Sequence, residues 1–307
     1  MYKYKNITGL LFLVLLLSCN EKMTEDEIAE IGTANCQQQP YFLKNTGLDP
    51  ARCAFSTSEK KTKGLIVIQL PLNSADTFRR KWQHPSWSRF GFMGPITTDN
   101  NGNVYVVPVP LVNVLDNAPE KQNVIYKVDS RTGEMKPLTD LKIDKKTATE
   151  NVYGLLGIYF DCHAKLLYAS SVANSTRTEE NGIIYAIDPV SGEVMDQFTG
   201  VDAMALCVGG ISGEKRLYFG STRTSDVCSI ELTKAGKFKG SIQKEFSLDL
   251  LGPRGDDKAR KIRFDKNGNM KIAAVEFNYN LTAPTEKQET SYTYFFNQDE
   301  KKWEFTE

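Results

Sequence analysis

The sequence predicts an all-β chain folded as a β-propeller of five or six four-stranded blades, five of them identifiable. Two repeated elements and their spacing lead to this fold. The run Ile125-Tyr126-Lys127-Val128-Asp129-Ser130-Arg131-Thr132-Gly133-Glu134 returns, at one constant offset, as Ile184-Tyr185-Ala186-Ile187-Asp188-Pro189-Val190-Ser191-Gly192-Glu193. A second element, Asp99-Asn100-Asn101-Gly102-Asn103-Val104-Tyr105, returns around Tyr168, around Tyr218 and as Asp265-Lys266-Asn267-Gly268-Asn269-Met270-Lys271. The two alternate with a period of roughly fifty residues, enough for strand, turn, strand, loop, strand, turn, strand, which is one blade. A β-sandwich also recurs in short strands, but in-phase duplication at this period does not belong to it.

The chain opens with an address. Lys3 and Lys5 precede an apolar run from Ile7 to Leu17, followed by Leu16-Leu17-Ser18-Cys19. The run is shorter than the roughly 20 residues a membrane-spanning helix requires, and a basic start before a short apolar stretch is signal-peptide grammar. Leu-Leu-Ser-Cys resembles the lipobox of bacterial lipoproteins. That resemblance implies cleavage before Cys19 and its acylation, palmitate included, leaving the chain anchored to the membrane through lipid. With Asn20 rather than Asp after the cysteine, it also implies the outer membrane, facing either the periplasm or the cell surface. The expected organisation is a signal peptide over 1–18, a lipidated tether over 19–38 and the propeller over 39–307. Within the tether, Thr24 and Glu27 form a capping-box pattern that starts a short helix over 25–31, ended by Gly32.

Blade one is expected over 40–83, with its clearest strand over 64–70. The others follow over 92–142, 153–199, 202–247 and 259–306. Asn-Gly and Ser-Gly pairs supply the positive-φ residues of tight hairpins. The loops between second and third strands vary in length, over 110–122, 172–181, 221–226 and 278–291. The phrases Asn101-Gly102-Asn103-Val104-Tyr105-Val106-Val107 and Ile183-Ile184-Tyr185-Ala186-Ile187-Asp188-Pro189-Val190-Ser191-Gly192-Glu193-Val194 resemble blades of the NHL and gluconolactonase (senescence-marker-like) six-bladed propellers. The likeness covers blades two to four best. It implies a fold and no function by itself.

Composition narrows the function. With 38 Lys+Arg against 38 Asp+Glu there is no basic excess of the kind nucleic-acid binders use to neutralise phosphates. Two histidines leave little room for multi-His metal chemistry. After Cys19, five cysteines remain in a compartment that permits disulfides, so at least one is unpaired within the chain. Cys36 with Cys53 is the best local pair, while two of Cys162, Cys207 and Cys228 are brought near one another by the repeat.

The candidate site lies on the variable-loop face, because loops on a rigid scaffold carry most binding. Ser175-Thr176-Arg177-Thr178 and Ser221-Thr222-Arg223-Thr224 repeat in two such loops, so Arg177 and Arg223 are expected side by side, with Arg254 near them; guanidinium forks suit carboxylates and sulfates. The connector over 79–90 holds Trp82, His84 and Trp87 among four cations, a mixture suited to sugar rings or aromatic ligands. It is assigned to the same face. The bland alternatives are solvated scaffold arginines and tryptophans that plug gaps between blades. Gluconolactonase-like enzymes hold a metal in the channel through a Glu, an Asn and an Asp, but here Met93-Gly94-Pro95 places Met93 where that Glu is expected. Asp99-Asn100-Asn101-Gly102-Asn103 lacks EF-hand spacing and reads as a hairpin turn. No GxSxG, P-loop or GxGxxG occurs, and neither cofactor nor metal is expected. The leading reading is a non-catalytic envelope lipoprotein that binds a glycan, an anionic small ligand or another envelope protein. The alternative is a metal-dependent lactonase-like hydrolase or lyase using the channel. A third reading is a structural part of a secretion or motility machine, docked through its hairpin face.

Overall fold

The computed structural model describes residues 23–33, 36–57, 62–72, 79–109, 117–142, 151–279 and 288–306. The leader and Cys19 lie outside them. α1 (Glu25–Glu30) begins at Thr24, whose Oγ1 accepts the Glu27 N–H while the Glu27 carboxylate accepts the Thr24 N–H, the reciprocal cap the sequence announces. Gly32, at φ 82°, follows its end.

The rest is a five-bladed β-propeller of antiparallel sheets. Blade one holds β1 (Cys53–Ser56), β2 (Ile66–Gln69) and β3 (Arg80–Trp82); among the described residues it has three strands where four are expected. Blade two is β4 (Met93–Thr98), β5 (Val104–Pro108), β6 (Val124–Val128) and β7 (Met135–Asp140). Blade three is β8 (Leu155–Asp161), β9 (Leu166–Ser171), β10 (Ile183–Ile187) and β11 (Val194–Thr199). Blade four is β12 (Ala203–Gly209), β13 (Arg216–Ser221), β14 (Asp226–Leu232) and β15 (Phe238–Ser247). Blade five is β16 (Lys258–Phe264), β17 (Met270–Val275), β18 (Thr290–Asn297) and β19 (Lys302–Thr306). The first strands β4, β8, β12 and β16 pack blade against blade, and the outermost strands β7, β11, β15 and β19 are largely exposed.

Local chemistry explains the repeated turns. Asp129 Oδ1 accepts the N–H groups of Arg131 and Thr132, and Asp188 Oδ1 accepts those of Val190 and Ser191, with Gly133 and Gly192 in the left-handed region. Asp99 spends its carboxylate on Asn101 N, Asn103 N, Asn103 Nδ2 and the Tyr105 hydroxyl, so this loop is a hairpin turn. The repeated tyrosines are fully buried. The hydroxyl of Tyr105 reaches Pro189 O in the last hairpin of blade three, and that of Tyr168 reaches Gly236 O in the last hairpin of blade four. Trp87 does the same one blade earlier, donating Nε1 to Gly133 O at 2.8 Å. Blades one to four are thereby keyed in succession by buried rings whose polar tips are satisfied, whereas the Tyr218 hydroxyl meets Ser212 Oγ within its own blade.

The N-terminal segment crosses the hairpin face as a strap. It starts at blade four, where Glu27 pairs with Lys234 at 3.3 Å and Gly210 N donates to Ile31 O. A Cβ on Gly210 would stand 1.9 Å from Ile28 O, so only glycine admits this contact. The strap passes blade three at the Cys36–Cys162 disulfide and blade two at Gln38 N to Asp99 O, then reaches Ser130 O through Phe42 N before entering blade one. Beside the disulfide, Lys215 Nζ meets Asp161 Oδ2 at 2.7 Å in a pair almost wholly buried, joining blades three and four. The expected Cys36–Cys53 pair is therefore wrong. The strap carries Cys36 to the first hairpin of blade three, while Cys53 begins β1, is buried and sends its thiol to Asp49 O. Cys53, Cys207 and Cys228 are free thiols; burial pushes Cys207 up to about 12 and Cys228 to about 11, leaving both protonated and inert.

Candidate functional site

The loops over 172–181 and 221–226 do lie together on one face, and Arg177 and Arg223 are neighbours there. Arg223 NH1 donates to the Arg177 carbonyl at 2.9 Å. The fork of Arg223 is nevertheless consumed by the protein. Its Nε donates to Asp202 Oδ2 at 2.6 Å, and NH2 donates to Thr176 O at 2.7 Å and to Glu179 O. The expected anion clamp of Arg177 with Arg223 is corrected accordingly: Arg177 is exposed, and Arg223 is an inter-blade strut. Arg254 is equally committed, with Nε 2.5 Å and NH2 3.0 Å from the Asp257 carboxylate and NH2 donating to Thr290 Oγ1.

Two carboxylates not singled out in the sequence organise this face. Asp202, with no exposed side chain, directly precedes β12 and accepts from Ser175 Oγ, Gly182 N, Arg223 Nε and the Tyr279 hydroxyl. Thr222 Oγ1 lies 2.7 Å from the Tyr279 hydroxyl, and the Arg223 guanidinium stacks 4.5 Å from the Tyr279 ring centroid. Burial, with the Asp202 charge and hydrogen bond, pushes the Tyr279 hydroxyl far above the tyrosine range, so it stays a proton donor to Asp202. The knot ties the loops of blades three, four and five together. Tyr153 and Phe277, 5.1 Å apart, pack beside it. Asp257, directly before β16, accepts from Arg254 and Tyr292 and so fixes the connector onto β18 within blade five. Burial raises its carboxyl, but the bonds from Arg254, Thr290 and Tyr292 outweigh burial and hold it below its ordinary value. The sequence signal for both was an acidic residue directly ahead of the first strand in successive blades.

The connector holding Trp82, His84 and Trp87 is not on the loop face. It climbs the flank between blades one and two, starting at the hairpin face, where Trp87 is fixed to Gly133, and ending on the loop face at Phe92, held by Asn117. Trp87 is fully buried and Trp82 half-buried, in a cluster with Phe42 and Phe55 whose ring centroids lie 5.3–6.4 Å apart. The expectation that Trp87 stacks on a ligand is corrected, because both indoles pack into this aromatic cluster against blade one, which has three strands among the described residues. His84 remains at the surface. It lines an open cleft of about 490 Å³ with Pro85, Ser86, Arg89, Thr132 and Glu134. Among the described residues no three His, Cys, Asp or Glu side chains come together as a metal site, and no helix is long and apolar enough to cross a membrane.

No family model and no curated protein matches the chain. Among solved structures it is similar to regucalcin of Agrobacterium tumefaciens, described as a calcium-binding protein (13% identity, TM-score 0.46, covering 77% of this chain and 71% of that one). It is also similar to a Lactobacillus plantarum protein (11%, 0.46, 85% and 82%) and to a glucose dehydrogenase (12%, 0.42, 78% and 77%). At these identities and scores they add nothing to function.

Proposed function

We propose that the protein is an envelope lipoprotein, anchored through Cys19, whose propeller is a non-catalytic binding module presenting its loop face. The Asp202 knot carries this reading. It uses Ser175, Arg223 and Tyr279 to hold the loops of three blades in one geometry, and every polar group in it is satisfied internally. Such a knot pre-organises a variable surface for a partner, which lowers the ordering cost of binding. The lactonase alternative draws on carboxylates converging at a metal, and among the described residues no three His, Cys, Asp or Glu side chains converge.

The strap supports an orientation. α1 is seated on the hairpin face of blade four, and four residues separate Cys19 from Thr24, a reach of at most about 18 Å. The hairpin face then faces the membrane and the loop face points away. Cys19→Ala should leave the membrane fraction, and a photo-crosslinking residue at Arg177 should trap an envelope partner where one at Val190, exposed in the last hairpin of blade three, does not. Retention of Cys19→Ala in the membrane refutes the anchor. Equal cross-linking from both positions refutes the choice of face, and hydrolysis of lactones by the purified protein favours the alternative.

A further inference from the structure

Exposed apolar side chains are unevenly placed on this protein. Among the described residues, Tyr41, Leu70, Leu72, Val190, Val194 and Met195 are large, apolar and between 39% and 81% exposed. All six lie at the hairpin face. Of the other large apolar side chains that are exposed, Leu250 stands on the loop face, in the connector before β16, and the rest lie within strands of blades four and five.

The topology fixes these positions. Val190 is in the last hairpin of blade three, and Val194 and Met195 open β11 directly after it. Tyr41 belongs to the strap, beside Phe42, whose N–H reaches Ser130 O in the last hairpin of blade two. The segment entering β2 is bridged at Gly64, in parallel, to Phe92 at the loop-face end of blade two, so β2 runs toward the hairpin face as β4 does. Leu70 and Leu72 follow its end, and Leu70 N donates to Arg52 O just ahead of β1. The apolar tips therefore stand on blades one, two and three, and α1 brings the chain leading from Cys19 to blade four.

The turns do not need these side chains. The Asp188 turn uses the Val190 N–H and not its isopropyl group, and blade two carries Arg131 at the equivalent place. Lys44 Nζ lies 4.5 Å from the Tyr41 ring centroid, an aromatic ring paired with a long-stemmed cation, the combination that suits a boundary between water and hydrocarbon. What covers this face is set by where the chain leads. An acylated Cys19 lies within about 18 Å of Thr24, and α1 is tied to blade four, so a bilayer holding the acyl chains is the surface next to the tips.

We infer that the hairpin face is itself a lipid-contact surface, whose apolar tips at Leu72, Val190 and Tyr41 enter the boundary between headgroups and acyl chains of the bilayer that holds Cys19. The inference rests on the Cys19 anchor. It adds that the propeller is seated on the bilayer at three further blades, which stops it swinging on its tether and holds the loop face outward. Each tip buries too little to hold the protein alone; the anchor supplies the high local concentration that makes shallow contact persist.

The test uses full-length acylated protein reconstituted into phosphatidylcholine vesicles. An environment-sensitive fluorescent amino acid replaces Leu72, Val190 or Leu250, and phospholipid carrying a nitroxide is the quencher. Flotation with the vesicles reports the anchor by itself. Probes at Leu72 and Val190 should be quenched at least about fivefold more than the probe at Leu250, because contact to a depth of about 5–10 Å brings them to the nitroxide while the loop face stays in water. Leu72→Glu/Val190→Glu, at residues 80% and 81% exposed, should keep the wild-type Tm and still float, yet lose most of the quenching of a probe at Tyr41. Equal quenching at Leu250, absent quenching at Leu72 or Val190 in protein that floats, or unchanged Tyr41 quenching in the double variant each overturns the inference and leaves the anchor standing. Protein that does not float overturns the anchor reading, and the seating with it.

Discussion

Arg223→Ala separates two views of the loop face. Seen as a surface loop residue, Arg223 should cost less than about 0.5 kcal/mol on truncation, as Arg177 should. The structure gives a different value. Asp202 has no exposed side chain, and the Arg223 side chain is 18% exposed. Removing one partner of a buried ion pair costs about 3–5 kcal/mol, because the remaining charge stays buried. Two facts place this case at the lower end. Asp202 keeps its bonds from Ser175, Gly182 and Tyr279, and water reaches the edge of the guanidinium to replace part of its contacts. The expected loss is therefore about 3 kcal/mol, or roughly 6 °C in Tm for a chain of this size. Urea titrations of wild type, Arg177→Ala and Arg223→Ala should show the midpoint falling in Arg223→Ala alone, with an unchanged slope. Asp202→Asn combined with Arg223→Ala should recover part of the loss, with a coupling of about 2 kcal/mol. If Arg223→Ala unfolds within 0.5 kcal/mol, or about that, of Arg177→Ala, Asp202 is not held by this pair and the knot is not a structural unit.

Two further expectations follow from the same contacts. The Cys36–Cys162 bridge spans a sequence separation of 126, for which chain entropy sets a ceiling of about 5 kcal/mol; Cys36→Ser/Cys162→Ser should lower the denaturant midpoint, and wild type in reductant should match it. Asp257 is held below its ordinary value of 3.8 in the folded chain, so its contribution is present above that pH and is lost as pH falls through the folded value. Stability measured from about pH 2 to 5 should fall less steeply in Asp257→Asn than in wild type, and parallel curves would show that the Arg254 pair does not operate.

The blades were legible in the sequence because their determinants are local. An aspartate that caps its own turn, a glycine at positive φ and an alternating strand act within ten residues or so, and the Asp129 and Asp188 turns are built as their sequences indicate. The short helix was legible for the same reason, since Thr24 and Glu27 satisfy each other. The aromatic connector was visible as an anomaly, but its role depended on what lay opposite it. Trp87 is a core residue and Trp82 packs against that core because Phe42 arrives from the strap to complete their cluster. His84 remains at the surface because Ser86 turns the chain beneath it.

The order of strands, the tight hairpins, the blade spans after the first and the separation of hairpin face from loop face were determined by the sequence itself, through periodicity and turn chemistry. The partner of Cys36, the burial of Trp87, the inward turn of Arg223 and the roles of Asp202 and Asp257 were decided only by the tertiary structure. All but Asp257, whose partners lie in its own blade and the connector before it, depend on a contact between segments of different blades or on the path of the strap across several of them. A side chain's chemistry states what it is able to bind, and packing decides whether the protein itself has already bound it.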